Sequence, residues 1–159
     1  MAVKAEFKIE GLWALRQKLN ERKEALKRVL DMKLLQLAEE CITHAKWNKG
    51  YSDRTANLKN SISYALYYDG ELVTMRAGQI PDPTADPEGQ TQVESSLDEF
   101  ANQAGAVAPK GYTLIIVAGM RYGAHVEHKG YNVLHLTKYY LKDELRKIFE
   151  ETLEEIKNM

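Results

Sequence analysis

The chain has 159 residues, of which 44% are hydrophobic and 28% are charged, and its formal net charge is -1. This length suits one domain of ordinary size, with a core large enough to need no disulfide or metal. The charge shows no basic excess, which argues against strong sequence-independent binding to nucleic acid. We therefore expect a single domain over residues 1–159.

The single cysteine and the hydropathy of the chain exclude further classes of protein. Cys41 is the only cysteine, which excludes an internal disulfide and a cysteine-rich zinc site. Residues 1–10 lack the continuous apolar stretch of a signal peptide. The longest strongly apolar run, Leu114–Ala118, is far too short to cross a membrane. The sequence thus predicts a protein that is made in a cytoplasm and is not inserted in a membrane.

A long helix is predicted between Gly11 and Gly50. Apolar residues recur there at steps of three, four or seven, and the stripe shifts by one position near its middle: Leu12, Leu15, Leu19, Leu26, Val29, then Leu30, Leu34, Leu37, Cys41. Unbroken, this helix would be roughly 50 Å long. Two interpretations stay open: the helix packs on the core and breaks near Asp31, or one end projects and contacts a neighbouring subunit.

The middle of the chain predicts a hairpin. Ser52–Asn60 is rich in short polar side chains, which start helices and shape turns. The alternation over Ile62–Tyr68 indicates a strand. Asp69-Gly70 follows, a pair that favours a tight turn because both turn positions need positive φ. Leu72–Ala77 then resumes the extended pattern.

A proline-rich loop is predicted at about residues 79–92. It holds three of the four prolines of the chain: Pro81, Pro83 and Pro87. A loop of this length in a compact domain is usually functional or disordered. We expect these prolines to form an interface that becomes ordered on docking, and we expect the domain to keep its stability without the loop. A short helix is expected within Val93–Ala106.

The last third of the chain predicts one more strand and one more helix. Tyr112–Ala118 is typical of a buried strand, and apolar residues at helical spacing follow near the end of the chain: Leu141, Leu145, Ile148, Thr152 and Ile156. The predicted architecture is α+β, with a small antiparallel sheet packed against a long N-terminal helix and a C-terminal helix.

Potential catalytic groups are sparse. His125-Val126-Glu127-His128 is the densest cluster, but the zinc-deaminase and His-Glu-x-x-His signatures are both missing. Nucleophile-elbow and phosphate-loop motifs are missing as well. Glu39 and Glu40 are expected on a solvated helix face. We expect no metal, no cofactor and no enzyme activity. Without a metal, the segment around this cluster is expected to be a polar turn with half-exposed imidazoles. The alternative hypothesis is a metal-dependent hydrolase that uses His125, Glu127 and His128.

Tyrosine is unusually frequent. There are nine, including two adjacent pairs, Tyr67-Tyr68 and Tyr139-Tyr140. Tyrosine is favoured at protein interfaces because it combines a large apolar area with a polar tip. The two pairs are therefore candidate interface residues. The alternative is that they are ordinary half-buried residues of the sheet and the last helix.

Three segments carry short motifs in a fixed order. The first, Phe7-Lys-Ile-Glu-Gly11-Leu12, leads into the long helix. The second is Thr55-Ala-Asn-Leu58-Lys-Asn-Ser61-Ile62, and the third is Tyr122-Gly-Ala124-His-Val126-Glu127. Together they resemble the gene-product-10-like tail-component family of long-tailed bacteriophages. The second fits the family pattern Thr-Gly-x-Leu-x-x-Ser-Ile with Ala56 in place of the usual Gly, and the third fits Tyr-Ala-x-x-Val-Glu with one extra residue, after which His128-Lys-Gly130 replaces the usual ending.

The resemblance implies a structural role. Members are linked to head–tail joining and tail completion, so it implies a phage or prophage subunit that forms a ring with itself and contacts other neck or tail proteins. It also implies a location in the virion, with assembly in the bacterial host cytoplasm, and no catalysis. A host-encoded adaptor protein is a further possibility, and the neighbouring genes would distinguish it.

Overall fold

A computed structural model describes residues 11–158 of the chain. Its elements, in chain order, are α1 Leu12–Trp47, α2 Asn57–Asn60, β1 Ile62–Tyr68, β2 Glu71–Arg76, α3 Gly89–Ala101, β3 Tyr112–Ala118, α4 Gly123–His128 and α5 His135–Lys157. The predicted α+β class is confirmed, because a small antiparallel sheet occurs together with a long N-terminal helix and a C-terminal helix.

Residue contacts divide the chain into two compact units, Met1–Met32 and Lys33–Met159. In the first unit the described residues form the N-terminal part of α1, and every side chain from residue 11 to residue 25 is exposed. The second unit holds the sheet and the other helices. The expectation of one domain over residues 1–159 stays a prediction.

Helix α1 runs without interruption through its 36 residues, so the break considered near Asp31 does not occur. Neither proline nor glycine falls within the helix, and the Lys27 ammonium lies 2.7 Å from the Asp31 carboxylate one turn later. Such i, i+4 pairs support a helix by a few tenths of a kcal/mol, roughly 0.3. In the second unit the helix buries one face: Leu34, Leu37, Ala38, Cys41, Ile42 and Ala45.

The sheet has three antiparallel strands in the order β2-β1-β3. The predicted hairpin joins β1 to β2, and both turn residues have positive φ, 51° for Asp69 and 85° for Gly70. The turn is also tied to the loop before β3, since Asp69 Oδ1 accepts a 2.7 Å hydrogen bond from the Gly111 amide. The Asp-Gly prediction is confirmed.

The core lies on both faces of the central strand β1. On one face, Ile62, Tyr64 and Leu66 pack with α1, β3 and α5. On the other face, Ala65 packs with Leu97 of α3 and with β3. Because β1 is covered on both sides, its residues from 62 to 66 are all buried, whereas β2 is largely exposed. Among residues 11–158 no helix has the length and apolar content needed to span a membrane.

Three local predictions need correction. Helix α3 begins at Gly89, inside the loop predicted for residues 79–92. Gly89 is buried, and a Cβ added there would lie 2.9 Å from Ile80 Cδ1. Residues 123–128, expected as a polar turn, form the short helix α4. Glu39 is not simply solvated, because it accepts a 2.8 Å hydrogen bond from the Tyr64 hydroxyl and pairs with Arg76.

Candidate functional site

The second family-like segment forms a compact turn at the entry to β1. Ala56 adopts the left-handed conformation, with φ 60° and ψ 8°. The Thr55 hydroxyl accepts a 3.3 Å hydrogen bond from the Asn57 amide, and the Asn60 side chain donates to the Ala56 carbonyl at 2.9 Å. The side chains of this segment therefore fix its own backbone, as the sequence predicts.

Leu58 and Ser61 connect this turn to the core. Leu58 is 5% exposed and packs with Val93, Met120 and Val133. The fully buried Ser61 hydroxyl donates to the Leu58 carbonyl at 2.7 Å, and the Ser61 carbonyl accepts from the Gly119 amide at 3.0 Å. Ile62 belongs to the cluster against α1. The matched positions are thus packing and hydrogen-bonding positions.

The third family-like segment meets the second one. Gly123, at the start of α4, is buried, and a Cβ added there would lie 3.1 Å from Leu58 Cδ1. Val126 packs on the same cluster as Leu58, while Tyr122 and Ala124 are exposed. Two segments far apart in sequence are therefore in direct contact in the second unit.

Glu127 caps the last helix. Its carboxylate accepts hydrogen bonds from the amides of Val133, Leu134 and His135, at 2.9, 2.8 and 3.2 Å. These amides lie at the start of α5, where helix N–H groups lack partners and a negative charge is favourable. The Asn132 side-chain oxygen adds a fourth hydrogen bond, which it accepts from the Leu136 amide at 2.9 Å. The carboxylate of Glu127 thus joins α4 to α5.

An open cavity of about 550 Å³ lies where the two segments meet. Its lining comes from the 51–58 segment, from the proline loop and from α4, including Tyr51, Asp53, Asp86, Tyr122 and Val126. The cavity lies at a junction between these segments of the second unit.

Two polar groups of the cavity wall have defined environments. Asp53 pairs with Lys49 at 3.1 Å and with Lys59 at 2.9 Å. Although burial alone would raise the pKa of Asp53, these ammonium groups lower it below its ordinary value. Burial raises the pKa of Tyr51 to about 12, with Asp53 adding to the effect, and its hydroxyl is buried without a partner in residues 11–158. These pKa shifts keep Asp53 ionised and Tyr51 protonated near neutral pH.

The proline loop is anchored to the same site. Buried Asn57 donates from its side chain to the Asp82 carbonyl at 2.8 Å and accepts from the Asp82 amide at 3.0 Å. Gln90 adds two bonds, accepting from the Ile80 amide and donating to the Gly78 carbonyl. The loop thus has defined contacts within the second unit, and its role as an interface that becomes ordered on docking stays a prediction. The three prolines are exposed: Pro81, Pro83 and Pro87.

The four candidate interface tyrosines have different surroundings. Tyr67 packs beneath α3, and Tyr68 lies 4.7 Å from Tyr112 between ring centres. Tyr140 stacks on His44 with ring centres 4.4 Å apart. Tyr139 is 52% exposed and contacts His135 edge-on. All four therefore make intramolecular contacts, and their role in an interface stays a prediction.

The residues of the hydrolase hypothesis are not gathered around a common point. His125 and His128 are exposed, and the Glu127 carboxylate is engaged at the start of α5. Within residues 11–158 no three His, Cys, Asp or Glu side chains are placed to share a metal ion. Cys41 is buried, and burial raises the pKa of its thiol to about 12.

The first family-like segment belongs to the other unit. Gly11 has φ +84° and precedes the helix, and its carbonyl accepts the first helical bond from the Leu15 amide at 2.9 Å. Leu12 is 42% exposed. The residues before Gly11 in this segment lie outside the described part of the chain.

Asn57 is the residue whose importance sequence reasoning underestimated. The sequence shows a small polar residue in a turn-rich segment, which predicts a local bond. The structure instead gives its side chain two bonds to a residue 25 positions away.

Comparisons with protein-family models, with curated proteins and with solved structures found no match to this chain.

Proposed function

We propose that this chain is a non-enzymatic structural protein of a tailed phage or prophage, acting in head–tail joining or tail completion. It assembles as a ring of identical subunits and contacts other neck or tail proteins. Assembly takes place in the bacterial host cytoplasm, and the product is part of the virion. The proposal rests on the three ordered segments that resemble the gene-product-10-like family.

The observation that carries the proposal is the backbone at Ala56. The family pattern usually has glycine at this position, and Ala56 has φ 60°, where glycine is the favoured residue. Left-handed geometry at a non-glycine residue is uncommon. The position at which the sequence departs from the pattern therefore keeps the backbone that the pattern's glycine favours.

The chemistry of the matched residues supports the same proposal. Leu58 and Ser61 fill or bond to the core, and Glu127 caps a helix. A structural subunit needs such positions for its fold and none for turnover. No observation favours the hydrolase alternative, since Glu127 would have to leave the helix cap in order to bind a metal or activate water.

The genes beside the coding sequence test the proposal directly. We expect portal, capsid or tail-tube genes next to it. Location among host genes alone, with no phage structural gene nearby, would contradict the proposal and favour a host-encoded adaptor.

Elemental analysis of the purified protein tests the hydrolase alternative. We expect no stoichiometric zinc or iron, and no change in metal content on His125→Ala. A near-stoichiometric metal that disappears in His125→Ala would support the alternative, whereas His135→Ala serves as the matched control outside the cluster.

A further inference from the structure

The N-terminal part of α1 carries an exposed apolar stripe. It consists of Leu12, Leu15 and Leu19, which are 42%, 55% and 57% exposed. Their spacing of three and four places them on one side of the helix. We call this set the α1 stripe. Neighbouring Trp13 is 76% exposed, so large apolar side chains are concentrated at this end of the chain.

The C-terminal part of α5 carries a second exposed apolar stripe, separate from its core face. Leu145 and Ile148 pack in the core and Thr152 is buried. The residues next to this face form the α5 stripe, and they are 57%, 56% and 44% exposed: Phe149, Leu153 and Ile156. Their spacing of four and three again places them on one side of the helix.

The two stripes lie in segments of opposite charge. Residues 11–32 hold six basic and three acidic side chains, which is a net charge of +3. Residues 148–157 hold four glutamates and one lysine, which is a net charge of -3. The acidic end of α5 already pairs with a basic side chain of the same chain, since the Lys33 ammonium lies 3.1 Å from Glu155 and 3.4 Å from Glu151.

We propose that the α1 stripe of one copy packs against the α5 stripe of a second copy. The two surfaces match in type, since each presents three large apolar side chains at helical spacing, and they are opposite in charge. The contact joins two different surfaces, so it is heterologous and leaves one free surface of each kind on every pair. Such a contact repeats from copy to copy, as a ring requires. This inference rests on the proposed ring assembly and names its interface.

Charge decides between this contact and the symmetric ones. Pairing two α1 stripes would bring two segments of net charge +3 together, and pairing two α5 stripes would do the same with net charge -3. Like charges across an interface are unfavourable, whereas complementary potentials speed encounter and select the partner. The heterologous contact should therefore weaken as salt is added, because exposed charges are screened.

The test uses two double variants of the full chain. Leu15→Glu/Leu19→Glu disrupts the α1 stripe, and Phe149→Glu/Leu153→Glu disrupts the α5 stripe. All four side chains are exposed, so both variants should unfold like the wild type in urea. Sedimentation velocity across the micromolar to millimolar range should show association of the wild type at low salt. Each variant alone should have an association constant at least about tenfold lower than that of the wild type.

Mixing the two variants distinguishes the interface type. The α1 variant keeps an intact α5 stripe, and the α5 variant keeps an intact α1 stripe. The mixture should therefore form a one-to-one dimer, which cannot add further copies because no intact stripe remains free. The control Leu72→Glu/Met75→Glu, on exposed positions of β2, should associate like the wild type. A symmetric α1 contact would instead survive Phe149→Glu/Leu153→Glu and give no new species on mixing.

Three results would overturn the inference: a wild type that is monomeric at millimolar concentration, association that neither variant weakens, or a mixture without the dimer. None of them would by itself overturn the phage role, which the gene neighbourhood and the effect of gene deletion decide independently.

Discussion

At the scale of single residues, Ala56 has the least favourable backbone of the candidate site. Its φ of 60° places an L-residue in the left-handed region, at a cost of roughly 1 kcal/mol. Asp69 is the other non-glycine residue with positive φ in the described chain, and its side chain gains a hydrogen bond from Gly111 in return. Ala56 has no side-chain polar group that makes such a bond.

Ala56→Gly should therefore stabilise the protein. Glycine removes the left-handed strain but adds entropy to the unfolded chain, so we expect a net gain of about 0.5 kcal/mol in the free energy of unfolding. Equilibrium urea unfolding measures it. The control is Ala124→Gly in α4, which should lose about 0.5–1 kcal/mol. A loss at both positions would contradict the conformation assigned to Ala56.

Asn57 and Thr55 should differ in their effect on stability. From the sequence alone, each substitution by alanine is expected to cost about 1 kcal/mol, the usual loss for a cap. In the structure, Asn57 is buried, and Asn57→Ala removes the partner of both the amide and the carbonyl of Asp82, so we expect about 2 kcal/mol. Thr55→Ala removes one long bond of 3.3 Å and should cost about 0.5 kcal/mol. Equal losses in urea unfolding would show that the Asn57–Asp82 pair contributes little.

Glu127→Ala should destabilise the second unit. Three amides at the start of α5 lose their acceptor, and we expect a loss of about 1–2 kcal/mol. Glu127→Gln keeps an acceptor oxygen but loses the negative charge, so its loss should be smaller. Urea unfolding of the two variants provides the comparison. Unchanged stability in Glu127→Ala would refute the capping role.

At the scale of elements, local patterns predicted most of the fold. The alternation in β1, the Asp-Gly turn and the apolar spacing of α1 and α5 are short-range signals, and each element occurs where its signal lies. The resemblance located the two segments that meet at Leu58 and Gly123, although it could not show that they touch.

The start of α3 and two side-chain contacts were not predicted, because they depend on packing and pairing outside any periodic pattern. Helix α3 begins at a glycine, which is a poor helix residue, and burial against Ile80 favours it there. The Asn57–Asp82 pair and the Glu127 cap join positions 25 and about seven residues apart. No periodic pattern encodes such pairs, so the proline-rich composition predicts a loop but not its contacts with Asn57.

The contacts of the proline loop change the expected result of its deletion. Replacing Pro81–Gly89 by a Gly-Ser link removes Asp82 and the first residue of α3, so we now expect a loss of about 2–4 kcal/mol rather than unchanged stability. In the deletion variant, Asn57→Ala should cost little more, because its partner is already absent. Urea unfolding of the four proteins in this cycle measures the coupling. Additive losses in the free energy of unfolding would show that Asn57 and the loop do not interact.

At the scale of the whole molecule, several carboxylates of the candidate site make structural contacts. Glu127 accepts hydrogen bonds at the start of α5, Asp53 pairs with lysines, and Asp82 accepts from the backbone amide of Ala85. Large apolar side chains are exposed at the N-terminal part of α1 and at the end of α5. Exposed apolar surface of this kind is typical of proteins that bind other proteins.

The most direct measurement is electron microscopy of particles made after deletion of the gene from the phage or prophage that carries it. The account predicts that infectious titre collapses and that heads and tails accumulate unjoined, or that tails are incomplete. Supplying the wild-type gene in trans should restore joined particles. A deletion strain that still produces normal joined particles at full titre would contradict the proposed function.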